Sequence, residues 1–165
     1  MKILRLLLNT NCNRKCIGCC NNQFDLINLP RAESFDNYKM IILTGGEPML
    51  KPDLVRKAIR EIREETNVPI ILYTAKVDRI LEVSYILGMI EGLTLSLHEQ
   101  KDVSDFVLFN KFLKQLATIR TKSLRLNVFE NISLENVDTS LWKVKDNIVW
   151  LDPCPLPKDE VFLRY

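Results

Sequence analysis

The sequence predicts an α/β fold in which parallel strands and helical crossovers build an incomplete parallel (β/α)6 barrel. Strand-like apolar runs alternate with helical runs about six times along the 165 residues, the pattern of parallel strands joined by helices. The first run, residues 3–8, is apolar almost throughout, as for a strand buried on both faces. A complete eight-fold barrel takes about 250 residues, or roughly 31 per unit, so this chain accommodates five or six units.

The elements follow in order. Residues 3–8 form the first strand, and a cysteine-rich loop begins directly after it. Residues 21–38 are weakly patterned and read as loop. Residues 39–44 form a second strand closed by Gly45-Gly46. Residues 52–65 give the clearest helix. Pro52 suits its first position and Asp53 the positive end of its dipole. Leu54, Val55, Ala58, Ile59 and Ile62 share one face, and Arg56, Lys57, Arg60, Glu61 and Glu64 the other, solvated face. A strand over 68–74, a helix over 77–87, a strand over 93–98, a helix over 103–119 and a strand over 124–129 come next. Residues 134–144 are degenerate, and 148–151 read as a short sixth strand. Residues 1–152 thus make the core, and 153–165 a Pro-rich tail unsuited to helix or central strand.

Charge sets limits on partners. The 23 basic and 21 acidic residues leave a net charge of +2, which gives no footprint for nucleic acid or an anionic membrane. No apolar run approaches the ~20 residues of a membrane span. The apolar start is too short for a signal peptide, is broken by Arg5, and lacks a small-residue cleavage site. The expectation is a cytoplasmic protein. Thiols stay reduced there, so clustered cysteines read as metal-binding or catalytic. Four of the five cysteines lie within residues 12–20, and Cys154 stands apart.

Two motifs carry chemistry. Cys12, Cys16 and Cys19 follow one another at x3 and x2 spacing after the first strand, and Gly45-Gly46-Glu47-Pro48 follows the second. Both fall at carboxyl ends of strands, where parallel α/β folds bind ligands. Electron-carrying iron–sulfur clusters usually take four thiolates. Three from one loop, with no fourth at ferredoxin-like spacing, leave one iron open to a small molecule.

On these two motifs the chain resembles the radical S-adenosylmethionine superfamily. The resemblance implies a [4Fe–4S] cluster held by Cys12, Cys16 and Cys19, with S-adenosylmethionine bound at the fourth iron. It implies reductive cleavage of that compound to a 5′-deoxyadenosyl radical, which abstracts hydrogen from a substrate. Gly45, Gly46 and Glu47 would receive the methionine moiety, and Ser96 and Asn127, at later strand ends, would contact the rest. Flavodoxin or ferredoxin would supply the electron. Gly18 and Asn21 resemble the activating proteins of anaerobic ribonucleotide reductase, whereas Gly-Gly-Glu-Pro follows the general family form. The substrate is therefore either a small molecule or a protein glycyl-radical site. Arg14 and Lys15 would offset the charge of the thiolates.

Plainer readings stand beside these. The cysteine loop also suits a non-catalytic zinc or iron–sulfur module, zinc needing Cys20 or Cys154 as a fourth ligand. Cys20 otherwise reads as a packed thiol and Cys154 as structural. His98, the sole histidine, reads as a solvated strand-end residue, and Trp142 and Trp150 as core or rim aromatics.

Overall fold

The structure, a computed structural model, describes residues 1–165. Its elements run β1 (Lys2–Leu7), β2 (Tyr38–Thr44), α1 (Pro52–Glu65), β3 (Ile70–Thr74), α2 (Ile80–Met89), β4 (Gly92–Leu97), α3 (Asp102–Leu113), β5 (Ser123–Phe129), β6 (Lys143–Ile148) and β7 (Glu160–Arg164). The fold is α/β, and the seven strands are ordered β6-β5-β4-β3-β2-β1-β7. The pairings β1–β2, β1–β7, β4–β5 and β5–β6 are all parallel.

The expected α/β class with parallel strands is found, with seven strands and three α-helices. The sheet is open, with β6 and β7 at its ends. Helical crossovers join β2 to β3, β3 to β4 and β4 to β5 only. Residues 8–37 carry the cysteine loop and a single 3-10 turn, Cys20–Gln23, while 149–159 are rich in proline. Neither stretch has the apolar 3.6-residue period that would lay a helix on the sheet.

The chain divides into two compact units, residues 1–71 with 150–165, and residues 72–149. In the first, β1 lies between β2 and β7. Leu4 and Leu6 of β1, Ile41 and Leu43 of β2, and Ile59 and Ile62 of α1 are buried in its core. Each such side chain contributes about 2 kcal/mol through burial. The helix bounds match the expected 52–65 because Pro52 opens the helix and Val55, Ala58, Ile59 and Ile62 form one buried stripe.

The tail is more structured than its prolines suggest. Residues 160–164 form β7, parallel to β1. Arg5 pairs with Glu160 across that contact at 2.6 Å, with both side chains mostly buried. The outer side of β7 is partly covered: Ala32 N–H donates to Arg164 O at 2.8 Å, and Arg164 N–H donates to Pro30 O at 2.9 Å. Such cover blunts an otherwise unpaired edge. Tyr165 then donates its hydroxyl to Glu61 of α1, and Lys57 Nζ sits 5.6 Å from the centre of its ring.

In the second unit, β4 and β5 pair from Gly92↔Ser123 to Leu97↔Val128. Phe106 and Phe109 of α3 are buried beside Trp142. The Trp142 Nε1–H donates to Asn110 Oδ1 at 2.8 Å, and Asn110 Nδ2 donates to Asp138 O at 2.6 Å. Buried polar groups are thereby satisfied, and Trp142 is a core residue. Asp102 accepts the amides of His98 and Glu99 at 2.9 and 3.0 Å.

Three elements depart furthest from the expected bounds. The sixth strand is Lys143–Ile148, not 148–151; its residues from Lys143 to Asn147 are exposed, so no apolar alternation marks it. The third helix ends at Leu113, because Gln115 and Leu116 donate back to Phe112 and Leu113 and tighten the last turn. The second helix starts at Ile80, after a bend held by the Lys76–Asp78 ion pair at 2.8 Å.

Burial, then the bond to Glu61, pushes the Tyr165 phenol from 10.0 up to about 12. The folded protein thus keeps the phenolic proton to higher pH than the unfolded chain. This contact's stabilisation is complete below about pH 10 and is lost as pH rises toward 12. Urea-unfolding midpoints should fall over that range in the wild type and fall less steeply in Tyr165→Phe.

Candidate functional site

The site begins where β1 and β2 end. Past Leu7 the chain keeps the parallel ladder: Leu8 N–H donates to Thr44 O at 2.8 Å, Gly46 N–H to Asn9 O at 2.8 Å, and Glu47 N–H to Asn11 O at 2.7 Å. This approach is too close for side chains at 45 and 46. A Cβ at Gly46 would stand 2.2 Å from Asn11 O, and one at Gly45 would stand 2.7 Å from Asn9 O. The glycines therefore admit residues 9–11 and aim the following loop across the carboxyl ends of both strands.

The loop is tied again at its far end, where Asn21 Nδ2 donates to Gly45 O at 2.7 Å. Between these anchors, residues 11–19 hold no helix or strand. Cys19 N–H donates to Cys16 O at 3.2 Å, and Arg14 N–H approaches Cys12 Sγ at 3.4 Å. Glu47 is 2% exposed, and its Oε1 accepts from Met49 N–H at 2.9 Å, capping a 3-10 turn over Pro48–Leu50.

Cys12, Cys16 and Cys19 take no part in a disulfide, and the first is exposed and the others half-buried. All three line one cavity of about 350 Å³, together with Arg14, Lys15, Asn21 and Gly46. The loop thus brings the predicted ligands, the predicted cations and one glycine of the second motif around one space. No three Cys, His, Asp or Glu side chains converge closely enough to hold a single metal ion. A cubane cluster makes a different demand, since each thiolate binds a separate iron and the sulfurs stand apart around it. Three cysteines outside any disulfide that line one cavity, with two cations beside them, make a donor set of the kind such a cluster takes.

Other predicted residues fall elsewhere. Gly45 and Glu47 flank the cavity through backbone bonds and do not line it. Ser96 and Asn127 face each other across β4 and β5, with Asn127 Nδ2 3.5 Å from Ser96 Oγ. They belong to the second compact unit, the thiols to the first. Cys20 and Cys154 are bonded to each other across 134 residues. That pairing departs from the expectation that all five cysteines are thiols. It arises because β7 returns the tail to β1, alongside the cysteine loop.

Sequence reasoning missed two contributors. Asn9 leaves both side-chain polar atoms buried and without a hydrogen-bond partner beside Gly45, and only its place just after a strand hinted at a role. Trp150 packs on Gly18, a contact that no local pattern encodes.

No protein-family model matches this chain, and no curated protein matches it in sequence. No helix is long and apolar enough to cross a membrane.

Gly46→Ala should lower unfolding free energy by about 2 kcal/mol, since backbone must shift to admit the methyl group. Urea denaturation checks this. An unchanged midpoint would mean that residues 9–11 and 44–47 do not approach as described.

Proposed function

We propose that this chain is a small radical S-adenosylmethionine enzyme whose Cys12, Cys16 and Cys19 hold a [4Fe–4S] cluster. One observation carries the reading: three cysteines outside any disulfide line one cavity that Gly46, from the second motif, also lines. When bound, the cluster supplies an electron that splits S-adenosylmethionine into methionine and a 5′-deoxyadenosyl radical.

The chain's own residues position and balance charge. The thiolates of Cys12, Cys16 and Cys19 bind iron and leave one iron to the co-substrate. Arg14 and Lys15 offset thiolate charge at the cavity wall. Gly46 borders the cavity while its missing side chain makes room for the backbone of Thr10 and Asn11. The carbonyl of Gly45 and the amides of Gly46 and Glu47 are already bonded within the protein. Their part is therefore to hold the loop, and Gly46 O is left to receive the ammonium group. Ser96 and Asn127 face each other within the second unit, and a co-substrate role for them rests on the family resemblance alone.

The zinc alternative loses ground because its two candidate fourth thiolates, Cys20 and Cys154, are spent on each other. A cytoplasmic setting goes with the reading through its flavodoxin- or ferredoxin-like donors, although thiols there are ordinarily reduced and the Cys20–Cys154 bond is an exception to that. The substrate is a small molecule or a protein glycyl-radical site, and a stable large partner on co-purification would select the latter.

Anaerobic reconstitution should give a brown protein with about four irons per chain. Addition of dithionite and S-adenosylmethionine should release 5′-deoxyadenosine. Cys16→Ala should abolish both colour and release. A colourless protein carrying zinc under the same conditions would overturn the reading.

A further inference from the structure

The three-thiol loop poses a mechanical problem. Ligands on irregular chain hold their positions only when neighbouring residues lock them. Residues 9–11 and Asn21 tie the loop to β2 from one side. A segment far away in sequence holds it from another.

We propose that residues 150–154 are the positioning element of the cysteine loop and that Trp150 is its principal residue; this rests on the iron–sulfur reading above. At Gly18, between Cys16 and Cys19, a Cβ would lie 2.4 Å from Trp150 Cβ, 2.6 Å from its Cγ and 2.8 Å from its Cδ2. The tryptophan thus takes the volume that a side chain at position 18 would fill. Four residues on, Cys154 is bonded to Cys20, next to Cys19. The Cys154 N–H also donates to Gln23 Oε1 at 2.8 Å. The segment therefore grips the loop at residues 18, 20 and 23, on both sides of Cys19.

Each contact has a distinct effect. The Cys20–Cys154 bond fastens the segment covalently. The packed indole prevents the Cys16–Cys19 turn from swinging outward. It also keeps water from that side of the turn, and residues around a metal centre set its retention and potential in this way. Reduction adds negative charge to a thiolate-bound cluster, and water stabilises that charge. Removing the indole should therefore make the potential more positive. Trp150 is a positioning residue, since it acts through the loop.

Two measurements test this. In apoprotein prepared without reductant, the emission of wild type minus that of Trp150→Phe isolates Trp150 without disturbing Trp142. The same difference taken in a Gly18→Ala background should be red-shifted, because the added methyl expels the indole. In anaerobically reconstituted protein, Trp150→Ala should lose iron to a chelator about 10-fold faster, with unchanged far-UV circular dichroism and a more positive cluster midpoint. Trp150→Phe should restore most of the retention. Iron retention and midpoint equal to wild type in Trp150→Ala, or unshifted Trp150 emission in Gly18→Ala, overturns the proposal. Wild type that takes up no iron defeats the iron–sulfur reading and this proposal together. Wild type that loads iron beside an equally retentive Trp150→Ala defeats this proposal alone.

Discussion

The backbone approach between residues 9–11 and 44–47 underlies the rest of the site. Two parallel strands end side by side, and their ladder continues for several residues because positions 45 and 46 have no side chain to block it. Without that approach, the chain after β1 would leave the sheet in no fixed direction. With it, the cysteine loop starts from a rigid point and crosses the carboxyl ends of β1 and β2. Sites in parallel α/β folds form there because loops of different origin meet at that edge.

The second glycine motif has a different part from the one its pattern suggests. A glycine pair after a strand invites the view that a ligand comes close to bare backbone. Here most of the close approach is made by the protein itself, through Asn9, Thr10 and Asn11. Gly46 still borders the cavity, so one residue fixes the loop and forms the wall. Glu47 has turned inward as a cap. Its carboxylate serves local geometry at the point where β2 turns into α1.

Much of the fold was legible, for reasons tied to burial. Strands β1 to β4 hold continuous buried runs and β5 alternates buried with outward residues, so both patterns stand out, and α1 carries a single buried stripe with Pro52 at its start. β6 was misplaced because its residues from Lys143 to Asn147 face solvent and carry no hydrophobic signature. β7 was hidden behind prolines, and it forms because β1 offers a free edge and Arg5 a partner for Glu160. Which connections are helical was not legible either, since alternation of strand and helix was read along the whole chain. Three of the connections lack a helix.

The sequence by itself determined the spacing of Cys12, Cys16 and Cys19, the glycine pair after β2, and the near neutrality of the chain, because these are local or summed properties. Tertiary structure alone decided that the three thiols share a cavity with Gly46, that Cys20 meets Cys154, and that Trp150 fills the space above Gly18. Those contacts join residues up to 134 positions apart. They exist because the pairing of β7 with β1 carries the tail back to the loop, and no periodicity along the chain encodes that return.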